Sequence, residues 1–549
     1  MRRGLAALAA AVLASAGLAL AVPASAASGD GHTTRVSVGT DGVPGNAPSR
    51  LADVSGDGRF VAFDSASSTL VAEDTNGVGD VFVRDRVGGT TMRVSVSSAG
   101  EQGNGASDSA SISRDGRWVA FTSAASNLVT GDTNGARDVF VHDRLTATTS
   151  RVSVQSSGAQ AAGNSFTPQI SGDGSHVVFF TFSDLAGTGT AMPQVNAYRV
   201  DLTTGQVDDV CVRWDDVIIR LCLAPSISAD GRYVAFEAQG KLTEDDTNSV
   251  TDIYVRDMTD RVTRRVSVST TGNGATGPSS SPSISADGTV VAFTSPASNL
   301  VADDTNGMPD VFARDLAGST TERVSVGPLG AQANAGSFTR PFNGGSRLVS
   351  DDGRYVAFHS FASNLVPSDP NGANDLFVRD RTGATTVIAS LTSDDLPGSG
   401  NSLNAAISAD GRYVTFESSS PNLVVDDTNA VNDVFIRDLR PGPPPVTYTD
   451  RRTDISMSVQ LDPEASDVGR MTFTVPGLGT YVFDAGAGMS RKSATTVLID
   501  HAGPAVLESA AGSVALSVEL KARLDSDRPV AEATLADSAG RRFHFVARP

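Results

Sequence analysis

The sequence repeats itself about every 58 residues, and this repeat limits the possible folds more than any other feature. The phrase Ser-x-Asp-Gly-Arg-x-Val-Ala-Phe, or a close variant, occurs seven times, with aspartates Asp57, Asp115, Asp173, Asp230, Asp287, Asp352 and Asp410. Each copy is followed by a phrase of the form Asp-Val-Phe-Val-Arg-Asp, as at Asp80–Asp85. Most copies continue with Thr-Thr-x-Arg-Val-Ser-Val, as at Thr90–Val96. Self-similarity at a fixed period indicates a repeat architecture with one supersecondary unit per copy.

Each unit is predicted to contain four short strands. In the second unit these are Ser111–Ser113, Arg117–Thr122, Asp138–Val141 and Ser150–Val154, and a tight Asp-Gly turn follows the first of them. A phenylalanine closes the second strand in all seven units, at Phe63, Phe121, Phe179, Phe236, Phe293, Phe358 and Phe416. We expect these aromatic residues to pack in the core rather than to bind a ligand.

The two ends of the repeat region distinguish a closed ring from an open array of four-stranded units. Residues Thr33–Val38 form a fourth-strand phrase with no unit before them, whereas the last unit stops after Asp433–Asp438 without a fourth strand. The orphan strand and the missing strand complement each other, and a ring leaves no exposed sheet edge. The sequence therefore predicts an all-β, seven-bladed β-propeller over residues 33–440 that is closed by its N-terminal strand.

The N-terminal 26 residues have the features of a secretory signal peptide. Arg2 and Arg3 precede an almost wholly apolar run, and Ala24-Ser25-Ala26 is a suitable cleavage site after Ala26. The alternative is an uncleaved N-terminal anchor. If the signal peptide is cleaved, we expect a secreted or extracytoplasmic protein. No later stretch is long and apolar enough to cross a bilayer, so we expect no membrane span in the cleaved protein.

The region after the repeats has a different pattern. Residues 441–446 are rich in proline and predict a stiff, exposed linker. In residues 447–549, apolar and polar residues alternate, as in Ile455-Met457-Val459-Leu461. This alternation predicts a small antiparallel β-sandwich domain.

The repeat phrases resemble a known family. The segments Ser226–Phe236 and Asp252–Asp257 look like the WD40-like (PD40) repeats of TolB-type propellers, and the likeness extends over all seven units. The resemblance implies a propeller fold and a protein-binding or scaffolding role in the cell envelope. The chain departs from TolB, since the N-terminal domain of TolB is absent and a further C-terminal domain follows the repeats. It also lacks the Gly-x-Ser-x-Gly nucleophile motif expected of propeller-capped hydrolases.

Composition excludes several classes of function. There are 43 Lys and Arg residues against 62 Asp and Glu, a formal net charge of -19, and such a surface repels phosphate backbones. We therefore expect no nucleic-acid partner. Only two cysteines and six histidines are present, which excludes zinc clusters and iron–sulfur sites of the usual kind.

The connections between strands predict two unlike faces. The Asp-Gly turns and the Arg-Asp hairpins are short and fall on one face, which we call the plain face. The long connections all fall on the opposite face, which we call the long-loop face. Ligand sites are usually built on such loops or at the mouth of a central channel. In six units a leucine in the long loop, such as Leu70, is expected to pack between blades.

The same loops carry the motif Asp-x-Asn-x-x-x-Asp. Its six copies are Asp74, Asn76 and Asp80; Asp132, Asn134 and Asp138; Asp246, Asn248 and Asp252; Asp304, Asn306 and Asp310; Asp369, Asn371 and Asp375; and Asp427, Asn429 and Asp433. Carboxylate and amide oxygens suit calcium, so these loops are candidate calcium sites. The alternative is that the Asp and Asn side chains fold back on their own backbone as Asx turns.

Some residues break the repeat. Cys211 and Cys222 are the only cysteines and, in an oxidising compartment, are expected to form a disulfide, with two buried free thiols as the alternative. Trp214 lies between them, and it is either a partner contact or part of a structural loop. A longer connection before the sixth unit contains further candidate partner contacts, namely Arg340, Phe342 and Arg347.

Two classes of function remain. The first is a secreted, non-enzymatic propeller that binds a protein or glycan partner through its long-loop face, at the envelope or outside the cell, with calcium as an optional structural ion. The second is an extracellular glycoside hydrolase or lyase that uses paired carboxylates at the central channel. The scarcity of aromatic residues and histidines favours binding, and a purely structural exported propeller is a third possibility.

Overall fold

The computed structural model describes residues 32–187, 195–215, 217–218, 221–339, 347–425 and 427–439, together with the backbone of the strands between residues 446 and 547. The predicted signal peptide (1–26) and the predicted linker (441–446), apart from Val446, lie outside the described residues. Within the described part of the chain, no helix has the length and apolar character needed to span a membrane. The chain divides into two compact units, and the first of these ends at Leu439.

The first unit contains seven antiparallel sheets of four strands each. The N-terminal strand is β1 (Thr33–Arg35). Blade one contains β2 (Ser49–Val54), β3 (Phe60–Ser65), β4 (Asp80–Asp85) and β5 (Thr90–Arg93). Blade two contains β6 (Ser107–Ile112), β7 (Trp118–Ser123), β8 (Asp138–Asp143) and β9 (Thr148–Arg151). Blade three contains β10 (Ser165–Ile170), β11 (His176–Thr181), β12 (Asn196–Asp201) and β13 (Val207–Asp209).

The remaining blades follow the same plan. Blade four contains β14 (Cys222–Ile227), β15 (Tyr233–Gln239), β16 (Thr251–Asp257) and β17 (Val262–Arg265). Blade five contains β18 (Ser280–Ile284), β19 (Val290–Ser295), β20 (Asp310–Asp315) and β21 (Thr320–Arg323). Blade six contains β22 (Ser337–Phe338), β23 (Tyr355–Ser360), β24 (Asp375–Asp380) and β25 (Thr385–Ile388). Blade seven contains β26 (Ser402–Ile407), β27 (Tyr413–Ser418) and β28 (Asp433–Asp438), and β1 is its fourth strand.

The N-terminal strand closes the ring. β1 pairs antiparallel with β28, with Thr33 opposite Arg437 and Arg35 opposite Phe435. The backbone N–H of Val36 continues the ladder by donating to the carbonyl of Val434 at 2.7 Å. The predicted seven-bladed propeller closed by its N-terminal strand is confirmed. Closure pairs the outer edge of β28, which would otherwise remain an open template for another strand.

The core lies between neighbouring blades. In six of the blades the second-strand phenylalanine stacks on a third-strand aromatic ring, as in Phe63 on Phe82 with ring centroids 5.9 Å apart. Leu70 is 1% exposed and packs in a cluster that joins Val36 and Ile436 of blade seven to the residues of blade one. The repeated aromatic and leucine positions are therefore packing positions, as the sequence predicted.

From blade seven through blades one to five, the first strands of neighbouring blades contact one another and surround the central channel. In each of these strands except that of blade six, the register shifts by a β-bulge, and one bulge residue has positive φ, for example Leu51 at 49° and Ser109 at 58°. A bulge re-aims the residues beside it and bends the strand. Repeated around the ring, these bulges place a set of side chains at the channel mouth on the long-loop face.

Blade six differs in its first strand. Ser337–Phe338 pair with Ser360 and His359, and Val349 forms the next bridge with Val356. The repeat is 65 residues long at this point. The extra residues therefore interrupt the inner strand, rather than lengthening the connection before blade six as the sequence suggested. Residues 340–346, which include the candidate contacts Arg340 and Phe342, lie outside the described residues.

The second unit is also all-β. Its strands are β29 (Val446–Asp450), β30 (Ile455–Leu461), β31 (Val468–Val475), β32 (Gly479–Asp484), β33 (Met489–Ser493), β34 (Thr496–Ser509), β35 (Gly512–Asp525), β36 (Val530–Ala536) and β37 (Arg542–Ala547). They form one antiparallel sheet in the order β29-β30-β31-β32-β34-β35-β36-β37, with β33 paired to β34. The predicted packing of this domain as a sandwich depends on side chains that lie outside the described residues.

Candidate functional site

Ion pairs occupy the plain face. The arginine of the Asp-Gly-Arg turn pairs with the aspartate that ends the third strand, as in Arg59 Nη2 to Asp85 Oδ2 at 2.7 Å. Equivalent pairs are Arg117–Asp143, Arg232–Asp257, Arg354–Asp380 and Arg412–Asp438. The hydrogen bond from Arg59 lowers the pKa of Asp85 to about 2. The Asp85 carboxylate also accepts the backbone N–H of Gly88 at 2.8 Å, so this repeated aspartate closes the hairpin to the fourth strand.

The Asp-x-Asn-x-x-x-Asp loops are internally bonded. In blade one, Asn76 Oδ1 accepts the backbone N–H of Val78 at 3.2 Å, which is an Asx turn. Asn76 Nδ2 donates to Asp80 Oδ2 at 2.8 Å and to the carbonyl of Gly103 at 3.0 Å. Asp80 is fully buried, and its other oxygen accepts the Ser95 hydroxyl at 2.6 Å. These contacts hold the loop against the third and fourth strands.

An arginine of the fourth strand lies between the two carboxylates in five of the six loops, all of which belong to the described residues. Arg93 Nη1 lies 3.0 Å from Asp74 Oδ1 and 3.1 Å from Asp80 Oδ2. The corresponding pairs are Arg151 with Asp132 and Asp138, Arg265 with Asp246 and Asp252, Arg323 with Asp304 and Asp310, and Arg35 with Asp427 and Asp433. The arginine of the Thr-Thr-x-Arg phrase is therefore the counter-ion of the acidic loop motif.

Blade six lacks this counter-ion. Ile388 lies opposite Phe377, the register position that Arg323 occupies opposite Phe312 in blade five. Within the described part of the chain, Asp369 Oδ1 has no hydrogen-bond partner. Burial and the charge of Asp375 raise the pKa of Asp369 to about 6. Of the six loops, this one has a carboxylate pair without an adjacent cation among the described residues.

These contacts limit where calcium fits. In five loops the guanidinium lies between the carboxylates, so they do not present the free oxygen ligands that calcium requires. Only the blade-six loop keeps its acidic pair without an arginine. Among the described residues, no three His, Cys, Asp or Glu side chains form a group suited to a metal ion. Calcium in the loops stays a prediction, and Asp369, Asn371 and Asp375 are its best-placed ligands.

Two ion pairs cross the channel toward its plain-face end. Arg347 of blade six, only 5% exposed, reaches Asp53 of blade one with Nη2 3.2 Å from Oδ2, and it also donates to the carbonyl of Ile112. The prediction that Arg347 is a partner contact is therefore wrong, because the side chain is buried on partners within the chain. Arg114 of blade two pairs with Asp351 of blade six. Burial and the neighbouring Arg347 lower the pKa of Arg114 to about 10. Charged side chains that do not follow the repeat therefore obstruct this end of the channel.

At the long-loop end, the residue that follows the second-strand phenylalanine lies beside the first strand of the next blade. These seven residues are Asp64, Thr122, Phe180, Glu237, Thr294, His359 and Glu417. Three of the contacts illustrate the pattern: Glu417 Oε2 accepts the N–H of Leu51 at 3.2 Å, Glu237 Oε2 that of Ser281 at 2.9 Å, and Thr294 Oγ1 that of Thr339 at 2.8 Å. The position is structurally equivalent in every blade but chemically different from blade to blade.

The mouth is consequently asymmetric. Carboxylates concentrate at blades seven, one and two, where Asp64 lies near Glu417 and Asp108. Burial, with the charges of Asp108 and Glu417, raises the pKa of Asp64 well above its ordinary value, and Arg50 opposes the shift. Asp108 forms an ion pair with Arg137. This sector therefore combines three carboxylates, Asp64, Asp108 and Glu417, with the cations Arg50 and Arg137.

Aromatic rings border the acidic sector at blade three. Phe166 and Phe180 stack with centroids 5.5 Å apart, and Phe182 meets Phe166 edge-on at 6.0 Å. Phe182 is 42% exposed, and the guanidinium carbon of Arg137 lies 5.9 Å from the centroid of the Phe166 ring. The arrangement provides an exposed aromatic surface next to the Asp108–Arg137 pair.

The predicted contact region between blades three and four has a well-defined structure. Cys211 and Cys222 form a disulfide and are both fully buried. Trp214 is 41% exposed near the tip of the short hairpin bridged by Val212 and Ile218. The cationic groups of Arg213 and Lys241 lie 4.7 Å and 5.6 Å from its ring. Trp214 thus forms a second exposed aromatic site, on a long connection.

Sequence reasoning missed the residues at the channel mouth. Asp64, Asp108, Arg137, Phe166 and Phe182 belong to no repeated phrase, because their positions hold different residue types in different blades. Aligning the seven units with one another shows which repeat positions change residue type while the surrounding phrase stays the same. The position after the second-strand phenylalanine holds acids, threonines, an aromatic residue and a histidine. This variation is the sequence signal that points to the channel mouth.

Comparisons with known proteins show the fold alone. No family model matches the chain, and no curated protein matches it. Among solved structures, oligogalacturonate lyase from Vibrio parahaemolyticus is 14% identical with a TM-score of 0.44, and the match covers 74% of this chain and 93% of that one. A putative TolB from Agrobacterium tumefaciens is 15% identical with a TM-score of 0.34, and coverage is 64% and 94%. The β-propeller domain of the Trilobed protease from Pyrococcus furiosus is 11% identical with a TM-score of 0.34, and coverage is 80% and 94%.

Proposed function

We propose that this chain is a secreted, non-enzymatic β-propeller that binds a protein or glycan partner through its long-loop face. The observation that carries the proposal is the contrast between the two ends of the channel. The plain-face end is crossed by the Arg347–Asp53 and Arg114–Asp351 pairs, whereas the long-loop end presents exposed aromatic and charged groups that differ between blades. Binding sites require such asymmetric chemistry on a rigid scaffold.

The contacts of the carboxylates favour binding over catalysis. Glu417 and Glu237 each accept a backbone N–H from the next blade, and Asp108 is paired with Arg137. These acids already have partners that maintain the ring. The predicted signal peptide would place the protein outside the cytoplasm, and the C-terminal β domain would act as an adhesive or anchoring module.

The second candidate is a carboxylate-based glycoside hydrolase or lyase, and one observation favours it. The raised pKa of Asp64, beside Asp108 and Glu417, is the property expected of a general acid. Release of reducing ends from neutral polysaccharides, lost in Asp64→Asn, would support this enzyme. Absence of release at every pH between 4 and 8 would leave binding as the function.

The face assignment is tested by blocking one face at a time within one blade. Ala124 is exposed at the long-loop end of blade two, and Leu145 is 75% exposed in a plain-face hairpin of the same blade. Each residue is changed to cysteine and coupled to a 5-kDa polyethylene glycol in the chain lacking residues 1–26. Retention on envelope and spent-medium fractions of the source organism is then measured.

We expect the polymer at residue 124 to abolish retention and the polymer at residue 145 to leave it unchanged. Equal retention of the two conjugates, or loss only with the plain-face conjugate, would refute the assignment of the binding face. Melting curves of both conjugates confirm that folding is intact.

A further inference from the structure

Two pairs of threonines occupy equivalent positions at the channel mouth, on opposite sides of the ring. The side chains of one pair are hydrogen-bonded to each other, and those of the other pair are not. Thr294 of blade five and Thr339 of blade six share a hydroxyl hydrogen bond of 2.9 Å, and Thr339 Oγ1 is 2.7 Å from the carbonyl of Ser281. Their counterparts are Thr122 of blade two and Thr167 of blade three, which are 1% and 7% exposed. Within the described part of the chain, neither of these two hydroxyls has a hydrogen-bond partner.

A third polar group in this sector is also incomplete. The Asp64 carboxylate accepts the backbone N–H of Ser109, but its Oδ1 is buried and, among the described residues, makes no hydrogen bond. A buried polar atom without a partner is unfavourable, and such atoms in native proteins call for an explanation. Three of them in adjacent blades indicate that the sector is built to receive hydrogen bonds from a molecule outside the chain.

The same strand faces carry the aromatic surface. Asp108 lies directly opposite Thr122, and Phe166 lies directly opposite Phe180, so each pair projects from one face of its blade. Phe182 extends the stacked rings of Phe166 and Phe180 into solvent. An exposed ring beside groups that seek hydrogen bonds suits a ligand with one apolar face and a polar periphery.

The charges of the sector select among such ligands. Arg137 neutralises Asp108, and Arg50 lies near Asp64 and opposes the rise in its pKa. Glu417 of blade seven adds one carboxylate at the edge of this sector, so the sector holds only a small negative charge, while the chain as a whole is at -19. An anionic ligand would be repelled at long range, and a cationic one would compete with Arg50 and Arg137 for the carboxylates. A sugar ring has an apolar C–H face that stacks on aromatic side chains and hydroxyl groups that both donate and accept.

We infer that the channel mouth formed by blades one to three is a binding site for a neutral carbohydrate, held by stacking on Phe182 and by hydroxyl contacts to Asp64, Asp108 and Thr122. The polar atoms of Asp64 and Thr122 are buried in the free protein, so these two contacts form when the side chains rotate toward the ligand. This inference rests on the proposed function and names the ligand class of the same face. The site binds the sugar without breaking a bond, so no catalytic group is required.

The test uses the chain lacking residues 1–26 and isothermal titration with cellohexaose, xylohexaose, mannohexaose and chitohexaose. We expect at least one of these probes to bind, and Phe182→Ala to weaken that binding about tenfold, the upper range for the loss of one aromatic contact. Phe361→Ala is the matched control. Phe361 occupies the same position in blade six and is 52% exposed, but it lies outside the blades of the proposed site, so binding should stay within about twofold.

Thr122→Val gives an independent readout, because it removes the unpartnered hydroxyl while keeping the shape of the side chain. We expect weaker sugar binding with an unchanged or higher melting temperature. Absence of binding for all four probes, or equal losses in Phe182→Ala and Phe361→Ala, would overturn the carbohydrate site.

The two proposals fail separately. If no sugar binds but the polymer at residue 124 still blocks retention, the carbohydrate inference is wrong and a protein partner on the long-loop face remains. If sugar binding follows Phe182 but retention is blocked only from the plain face, the carbohydrate site stands and the proposed partner face is wrong.

Discussion

At the scale of single residues, the fourth-strand arginine shows how a repeated motif completes itself. Arg93 and its equivalents supply the positive charge that the acidic loop lacks. In four blades the arginine comes from a strand about 20 residues further along the chain, and in blade seven it is Arg35 of the N-terminal strand. The pairs are largely buried, with side-chain exposures of 11% for Arg93 and 4% for Asp74. Removing one partner of such a pair leaves an uncompensated charge. Blade six, with Ile388, is a natural example of that removal.

Restoring the cation in blade six should therefore stabilise the propeller. Asp369 has a folded-state pKa of about 6, above its ordinary value of 3.8, so the folded form binds its proton more tightly than the unfolded form does. Stability from this group is present below pH 4 and is lost as pH rises through about 6. We expect Ile388→Arg to raise the melting temperature by a few degrees at pH 7.5, from about 1 kcal/mol after solvent screening.

The benefit of Ile388→Arg should shrink at pH 4.5, where Asp369 is protonated in the folded wild type. Ile388→Gln, which adds polarity without charge, is the control and should bring no gain. An equal gain at both pH values would contradict the electrostatic cause. Melting of the wild type with calcium chloride or with chelator tests the calcium prediction at the same loop, and an unchanged midpoint would remove it.

At the scale of elements, the inner strands carry the contacts that hold neighbouring blades together. A side chain of one inner strand accepts the backbone N–H of the next, as Asp53 Oδ2 does from Ile112 at 2.9 Å and Gln169 Oε1 does from Ile227 at 2.6 Å. The acceptor is a serine in blades two, four and five and an aspartate only in blade one. The aspartate adds a buried charge, and Arg347 supplies its counter-ion from across the channel.

Removal of that counter-ion should be costly and specifically rescued. Asp53 is fully buried, so Arg347→Ala leaves its charge unpaired and should lower the free energy of unfolding by about 3–5 kcal/mol. The double variant Arg347→Ala, Asp53→Ser restores the serine used in other blades and should recover most of the loss. Urea unfolding of the wild type, both single variants and the double variant measures the coupling. Additive losses would show that the two residues do not depend on each other.

At the scale of the whole molecule, closure depends on a strand that is separated from its partner by the entire propeller. Thr33 and Arg437 pair across 404 residues, and the Thr33 hydroxyl lies 3.0 Å from Nη1 of Arg437. Val36 is 1% exposed and belongs to the core between blades seven and one. Bringing these two distant segments together costs loop-closure entropy, which grows only slowly with chain length. The single pairing then fixes both ends of the ring.

Deletion of residues 32–38 should therefore destabilise the whole propeller rather than one blade. Loss of the buried Val36 and of the strand ladder should lower the melting temperature by about 10 °C or more. A synthetic peptide of residues 30–40, added in excess, should restore part of the loss by adding a strand to β28. A peptide with Val36→Asp is the matched control. An unchanged melting temperature in the deletion variant would show that closure contributes nothing.

The repeat phrases were sufficient to predict the fold. Two signals carried the prediction: the period of about 58 residues and the orphan strand Thr33–Val38. Both signals can be recognised without knowing any tertiary contact, because alternation and turn residues define each strand within its own segment of the chain. The Asx turn at Asn76 was also foreseeable as an alternative, since Asn bonds its own backbone in turns. The sequence shows the Thr-Thr-x-Arg phrase, but it does not show that the arginine of this phrase lies between the loop carboxylates.

What the sequence determined by itself is what depends on neighbours in the chain: strands, turns, repeated core positions and the ring that their count closes. Only the tertiary structure decided which unrepeated side chains meet. Arg347 reaches Asp53 across 294 positions, and Asp64, Asp108 and Glu417 converge from three different blades. The physical reason is that a ring brings one position of every blade to a common axis, where contacts depend on curvature and not on separation along the chain.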